Sequence, residues 1–469
     1  MTAAATVGIR GAVDIRPGPR LLAGAGSQEQ VAPVAQAAQV AQDKGLSGHR
    51  TRWPDPRGAG LSADHLVEQA RAIGLAGRGG AGFPFATKLA AAASSARLLR
   101  RPIVVVNAAE GEPASAKDYA LALTAPHLVL DGAAAAAYAL RCSEIHVVTP
   151  RERPEVRDAY GLAVAQRREA GERLSWHLTE TGPGFVAGQA RAVIEALSGR
   201  PGLPVTAWQP EAISGFKGRP TLLSNAETWA HVGALVGLGV EGYRRLGTPQ
   251  EPGTTLLSLS GSDGRIEVVE IAYGTAWVDV LGEAAQRPAL VGGYHGTWAA
   301  AGSLASLTVS RTDLRDAGLT LGAGVVLTPA AGECPVVVTA AVTAYLARET
   351  AGRCGPCFNG LPALAAEVDA LARCNTGASY SRIAQLAGLV TGRGACAHPD
   401  GTARLVRSMV TVFDDEVAAH LGGVCRVAET AGVTGTAGVA GTAGVVGTVG
   451  VAGTADGAGT ADGALEAAP

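Results

Sequence analysis

Residues 103–113 read Ile103-Val104-Val105-Val106-Asn107-Ala108-Ala109-Glu110-Gly111-Glu112-Pro113. Four β-branched apolar residues in a row, then polar residues, glycine and proline, predict a buried strand that ends in a loop. Upstream, Leu66, Ala70 and Ile73 share one helical face, and Gly74 ends that run. Downstream, helical spacing over 126–141, a strand over 145–148, a charged helix from 154 to about 170, a strand over 174–179 and a helix over 185–197 follow in turn. Alternating strands and helices predict an α/β fold with a mostly parallel sheet covered on both faces.

The texture changes near residue 250. Segments 254–260 and 266–271 flank Ser262-Asp263-Gly264, and Asp-Gly there predicts a hairpin. Short strands continue to about 328. From 336 to about 421 the apolar spacing is helical again, as in Leu361, Leu364, Ala365, Val368 and Leu371, and four helices fit. The division expected is an irregular arm over 1–60, an α/β domain over 61–250, a small β-rich domain over 251–330, a helical domain over 331–426 and a tail over 427–469. That tail repeats units such as GTAGVA. Ordering backbone costs roughly 1–2 kcal/mol per residue, and side chains this small return less, so the tail is expected to be disordered.

The chain has 469 residues with a formal charge of −2. That balance argues against a general electrostatic grip on nucleic acid or anionic membrane. Only 17% of residues are charged, and 64 are glycine, so tight turns and close backbone approaches must be frequent. Seven cysteines, crowded late in the chain, do not form a secreted disulfide framework. The first twenty residues lack the apolar core of a signal peptide, and no uninterrupted apolar stretch has the composition of a spanning helix. The expectation is a cytoplasmic protein, peripheral to a membrane only through a partner.

Four motifs carry chemistry. Gly77-Arg78-Gly79-Gly80-Ala81-Gly82-Phe83-Pro84 contains GxGxxG, though a helix rather than a strand precedes it. Glycines let backbone N–H groups approach a phosphate or a flat ring, and Lys88 beyond them could complement an anion. A plain loop-to-helix connection would read the same. The second is Asn107 to Pro113 with Lys117-Asp118, at the carboxyl end of the first strand, where open α/β sheets bind ligands. A solvated loop is the blander reading. The third, Gly218-Arg219-Pro220-Thr221 then Ser224-Asn225-Ala226-Glu227-Thr228, offers helix caps or phosphate holders. The fourth is Cys354-Gly355-Pro356-Cys357, with Cys396 39 positions later. Thiolates so placed suit an iron–sulfur cluster, a zinc ion with Cys374 added, or a redox disulfide. Cys142, Cys334 and Cys425 fall outside this array and read as buried structural thiols.

Together these motifs resemble the NADH-binding flavoprotein subunit of respiratory complex I and of related hydrogenases and formate dehydrogenases, in the same order over roughly residues 60–425. That family reads GRGGAGFP, NADEGEPG…KD, GxPTxVNNVET, then SCGxCxPCR and a distant cysteine. The resemblance implies a Rossmann-like FMN domain, a ubiquitin-like β-grasp (SLBB-type) domain and a C-terminal four-helix iron–sulfur bundle. It implies an NADH dehydrogenase-like oxidoreductase in which FMN takes hydride and passes single electrons to a [4Fe–4S] cluster. FMN would contact Gly77, Arg78, Gly79, Gly80, Lys88, Asn107, Glu110, Ser224, Asn225 and Thr228. Phe83 and Glu112 would lie beside the nicotinamide, and Cys354, Cys357 and Cys396 would hold the cluster. The partner would be a ferredoxin-like protein or a membrane reductase subunit.

The departures are specific. Ala109 and Ser224 stand where the family has Asp and Asn. The family's YICGEETAL, with paired glutamates near NADH, appears as Phe185-Val186-Ala187-Gly188-Gln189-Ala190-Arg191-Ala192-Val193. Its LKPPFP appears as Thr206-Ala207-Trp208-Gln209-Pro210-Glu211, where Trp208 could supply a stacking surface. The flavin site is therefore expected intact, and the NADH site remodelled. The cluster's first cysteine is Ala351, which leaves His398 and Cys374 as candidates for a fourth ligand, or a three-iron cluster. A non-catalytic flavin-binding or scaffold subunit, and a zinc-stabilised flavoprotein, are the rival readings.

Overall fold

The computed structural model describes residues 7, 11–23, 29–30, 45–96, 101–261 and 264–427. Two sheets organise them. The arm contributes β1 (Val13–Ile15) and β2 (Glu29–Gln30) to the second of these. The first sheet is fully parallel. It is built from β3 (Ile103–Asn107), β4 (Glu144–Pro150), β5 (Ser175–Thr181) and β6 (Thr221–Asn225), in the order β5-β4-β3-β6. Every residue of β3 and β6 is buried, as central parallel strands covered on both faces require.

The helices that cover this sheet form where the apolar spacing places them. Ser62 caps Ala63–Ala72 by accepting from the His65 N–H at 3.1 Å, and Gly74, at φ 57°, turns the chain out of the helix. Helices Pro126–Ala139 and Ala226–Tyr243 cross at Gly132 and Gly233. A Cβ on Gly132 would stand 1.9 Å from the Trp229 carbonyl oxygen, and one on Gly233 would stand 2.4 Å from that of Leu128. Only glycine permits that approach. Trp229 then reaches the sheet, its indole N–H donating to the Val105 carbonyl at 3.0 Å. No single described helix is long and apolar enough to cross a membrane. One apolar pair, Lys117–Thr124 and Pro126–Ala139, bends by 96° and is buried in this core.

The second sheet is mixed. Its centre is the antiparallel hairpin of β7 (Thr254–Ser260) and β8 (Ile266–Ala272), followed in the chain by β9 (Ala289–Val291), β10 (Thr297–Ala299) and β11 (Val325–Leu327). β11 runs parallel to β7 and antiparallel to β9, which pairs in turn with β10, giving the order β10-β9-β11-β7-β8-β1-β2. This is the β-grasp arrangement. Ser262 and Asp263 of the expected turn lie outside the described residues.

The arm expected to be irregular is not so throughout. β1 pairs parallel with β8, and β2 pairs antiparallel with β1. Helix Leu46–Arg52 is tied down through the buried Asp131, which takes Arg50 at 2.7 Å, His49 at 2.7 Å and Arg167 at 2.8 Å. Burial raises this carboxyl, but the hydrogen bonds from Arg50 and His49 and the charge of Arg167 outweigh it and hold the group well below the usual carboxylate range.

Among the described residues five α-helices follow: Pro335–Arg348, Leu361–Ala372, Tyr380–Val390, His398–Val412 and the short Asp414–Leu421. Four were expected over this span, and the short Asp414–Leu421 is one more; the four longer ones share one apolar core through Val342, Leu364, Leu386 and Leu405. The tail expected to be disordered falls on 428–469, outside the described residues.

Candidate flavin and iron–sulfur site

β3 and β6 are parallel neighbours, with Val106 opposite Ser224 and Asn107 opposite Asn225. Their polar ends therefore emerge at one edge, the carboxyl edge of the sheet. The glycine loop closes over that edge. The Gly77 N–H donates to the Phe83 carbonyl at 2.8 Å, and the Arg78 N–H to Thr228 Oγ1 at 2.9 Å. Asn225 caps helix Ala226–Tyr243 by accepting from the Thr228 N–H at 3.3 Å, and its Oδ1 takes the Thr228 hydroxyl as well. Gly79 runs past Asn225, where a Cβ would sit 3.8 Å from the asparagine Cβ. Gly80 and Gly82 hold φ of 101° and 62°, and a Cβ on Gly82 would meet nothing within 4 Å. The loop thus presents bare backbone to open space, the surface a flat ring or phosphate needs.

Lys88 stands beside this edge, its ammonium donating to the Leu223 carbonyl at 3.3 Å and to Glu211 at 3.2 Å. Phe83 is half exposed at the loop's end. The other expected contacts have partners within the protein. The Arg78 guanidinium is buried, donating to the Thr254 carbonyl at 3.3 Å over the Tyr273 ring, while its N–H is held by Thr228. Glu110 accepts from the Ser115 hydroxyl at 2.5 Å and from the N–H groups of Asp118 and Tyr119 at 3.2 Å. It caps the first turn of helix Lys117–Thr124. Asn107 donates to the Gly188 carbonyl at 2.8 Å, and Glu112 accepts from the Tyr294 N–H at 3.0 Å.

Behind the loop lies a charge cluster that reading the motifs one by one missed. The Lys117 ammonium, almost fully buried, is 3.0 Å from Asp118 and 3.1 Å from Glu227. Asp118 also accepts from the side chain of Asn225 at 3.3 Å and from the Glu227 N–H at 3.1 Å. Burial raises the Glu227 carboxyl, but Lys117, His231 and Arg78 outweigh it and hold it at about 2. For Asp118, burial is the larger influence and raises the carboxyl, while Lys117 draws it back. The cluster fixes the start of two helices at the flavin edge. Its signal in the sequence was Lys117-Asp118 at the head of an apolar helix.

The remodelled segment Phe185–Leu197 begins as a 3₁₀ turn over Phe185–Gly188, breaks at Gln189 and resumes as Ala190–Leu197. It packs tightly on the flavin-side loop: a Cβ on Gly111 would meet the Phe185 carbonyl oxygen at 2.5 Å, and one on Gly188 that of Ala109 at 2.4 Å. Arg191 donates to the Ser214 carbonyl at 3.4 Å and to the Gln209 carbonyl, which fixes its positive charge beside the loop. Trp208 is fully exposed and stacks on nothing among the described residues.

The same segment leads to the cysteines. Cys354 Sγ and Cys357 Sγ are 3.6 Å apart at the turn Pro356–Gly360. Gln189 hydrogen-bonds the Cys396 thiol, which burial raises, with Cys357 and Cys354 near enough to add to that rise. Burial also raises Cys354, but N–H groups of Ala395 and Cys357 outweigh it and leave this thiol below its usual range, the state a metal-bound thiolate needs. Cys354, Cys357 and Cys396 are three soft donors of the kind an iron–sulfur cluster takes, and Ala351 is buried with no donor to add.

The two proposed stand-ins for the missing cysteine lie elsewhere. His398 is engaged at both ring nitrogens, with the Leu346 carbonyl at 2.8 Å and His295 at 3.1 Å. It belongs to an aromatic group with Phe185, Tyr294 and Tyr345 between the Glu112 loop and Cys396. Cys374 sits against His420 at 3.4 Å.

Fold and site together define a flavin and iron–sulfur electron carrier, and the comparisons agree. The description "Nuo51 FMN-binding domain" matches residues 70–234, and "NADH-ubiquinone oxidoreductase-F iron-sulfur binding region" matches residues 337–420. The NADH-quinone oxidoreductase F-subunit of Mycobacterium tuberculosis is 30% identical over 390 residues, covering 78% of this chain and 86% of that protein. The Escherichia coli F-subunit is 29% identical over 381 residues, covering 77% and 85%. Among solved structures, a NAD+-reducing [NiFe]-hydrogenase in the H2-reduced state matches with a TM-score of 0.68 and 26% identity, over 77% of this chain and 63% of that one. The chain belongs to the family of NADH-quinone oxidoreductase F-subunits. It is an oxidoreductase of the FMN and iron–sulfur electron-transfer type, built to work with redox partner subunits.

Proposed function

We propose that FMN lies at the carboxyl edge of β3 and β6, against Gly77, Arg78, Gly79, Gly80, Lys88, Asn107, Ser224, Asn225 and Thr228, with Glu110 acting behind them as a helix cap. Phe83 and Glu112 border the hydride donor. Cys354, Cys357 and Cys396 hold the cluster, with the fourth position open or filled by a non-cysteine ligand. The parts that do this are 61–250, 251–330 and 331–426. Bound FMN supplies the exchange of a hydride for single electrons. The chain's own residues orient the flavin, exclude water and keep the cluster close. The partner that receives the electrons is a ferredoxin-like protein or a membrane reductase subunit.

The donor is NAD(P)H held with changed affinity, or a replacement for it. The observation that carries this is the segment Gln189-Ala190-Arg191. Where the family has two carboxylates, this chain has none, and Arg191 is bound to two backbone carbonyls. A non-catalytic flavin-binding subunit is the second reading, favoured by Ala351. The test is Ala190→Glu combined with Arg191→Thr. A regained charge-assisted hydrogen bond is worth about 1.5–3 kcal/mol, so the KM for NADH should fall about tenfold or more. An unchanged KM in a variant that still binds flavin would show that this segment does not set donor affinity.

A further inference from the structure

A second cluster of metal-binding side chains stands in the helical part, separate from the Cys354–Cys357–Cys396 array. Cys334 precedes helix Pro335–Arg348, Glu416 and His420 are one turn apart on helix Asp414–Leu421, and Cys425 follows that helix. One ligand atom from each lies within 4.8 Å of all the others. Cys334 Sγ is 3.4 Å from His420 Nε2 and 3.6 Å from Glu416 Oε1, and His420 Nε2 is 3.2 Å from Glu416 Oε1. Zinc bonds of about 2.0–2.3 Å to nitrogen, oxygen and sulfur at tetrahedral angles imply ligand–ligand edges of roughly 3.3–3.8 Å. The three separations fall at or just under that range.

The protons say the same. His420 Nδ1 lies 2.9 Å from the Leu371 carbonyl, which can only accept, so Nδ1 carries the proton. Nε2 lies between the Cys334 sulfur and the Glu416 carboxylate oxygen, and the imidazole is fully buried. A metal-binding histidine that donates its other N–H to a backbone carbonyl is the usual outer-shell arrangement. Glu416 Oε1 also accepts from the Arg426 N–H at 3.1 Å, which fixes the carboxylate beside the imidazole.

We propose that Cys334, Glu416, His420 and Cys425 bind one divalent zinc ion as a closed structural site. Two thiolates, an imidazole and a carboxylate suit zinc, and no position is left for a substrate. The ion pins the first helix of the iron–sulfur part to its last, across more than eighty residues of sequence. Because such binding energy is also folding energy, the site would hold the bundle together whether or not the cluster is present.

The experiment is metal analysis of the purified full chain, reconstituted with FMN and cluster, beside Cys334→Ser/Cys425→Ser and Cys354→Ser. One zinc per chain is expected in the unaltered protein and in Cys354→Ser, and none in the double variant. Should the double variant fail to fold, cobalt(II) exchanged into the unaltered chain decides the matter. Thiolate-to-cobalt charge-transfer absorption with intense tetrahedral d–d bands supports the site. Absence of zinc and of any cobalt spectrum overturns it. So does a Cys334–Cys425 disulfide found by mass spectrometry, or zinc that is lost with Cys354 and kept without Cys334 and Cys425.

Discussion

Cys357→Ser is expected to abolish the iron–sulfur centre while leaving the flavin bound. Cys357 is buried and 3.6 Å from Cys354. The array already lacks one thiolate, because Ala351 stands at the family's first cysteine. A site with three cysteines has no reserve, and serine is a hard donor poorly matched to iron–sulfur chemistry. Iron and acid-labile sulfide should drop to background, and the low-temperature EPR signal of the reduced protein should vanish. FMN content should not change, since the glycine loop and the ends of β3 and β6 make no use of Cys357. Iron retained at the unaltered level would move the cluster away from this turn. Stoichiometric zinc lost in iron's place would make the array a zinc site.

Lys117→Met is expected to be the most destabilising single change at the flavin edge. The ammonium lies among Asp118, Glu227 and, further off, Glu110, all buried. Burial alone would lower its pKa, but these carboxylates outweigh burial and raise it. Removing one partner of a buried ion pair typically costs about 3–5 kcal/mol, because the remaining charge is left uncompensated. The pH dependence has a definite sign. In the unaltered protein Glu227 is depressed to about 2, so its stabilisation is complete above the unfolded carboxylate pKa of roughly 4.3 and is lost as pH falls toward 2. Without Lys117 the carboxylates shift upward. The stability difference between the two proteins should therefore be greatest near neutrality and narrow as pH falls and they protonate. Thermal unfolding across that pH range measures it. Adding Asp118→Asn to Lys117→Met should recover part of the loss. A neutral Lys117→Met would mean that water reaches this cluster.

Much of the site could be read from the chain because its parts are local. The run Ile103–Val106 followed by polar residues marks a central parallel strand and its ligand-binding end. Glycines that need positive φ are visible as glycines. Two CxxC thiols are neighbours in sequence and stay neighbours in space. What could not be read depends on long-range pairing. Three residues at Val13–Ile15 are too few to show a strand pattern, and their partner β8 is some 250 positions away. Glu110 and Arg78 looked like ligand contacts, yet their side chains turn inward to a helix start and to the carbonyl of Thr254. The Cys334–Glu416–His420–Cys425 group is assembled only when the last helix folds back on the first, which no spacing rule shows.

The central claim is that this chain keeps its flavin and has changed the way it meets a hydride donor. An anaerobic visible spectrum of the FMN-reconstituted protein, titrated with NADH, then NADPH, then dithionite, tests it most directly. The account predicts tightly bound flavin that bleaches with NADH only at concentrations well above those that suffice for the Ala190→Glu/Arg191→Thr variant, and that dithionite reduces fully. Failure to bind flavin, or stoichiometric bleaching by NADH as tight as in that variant, would contradict it.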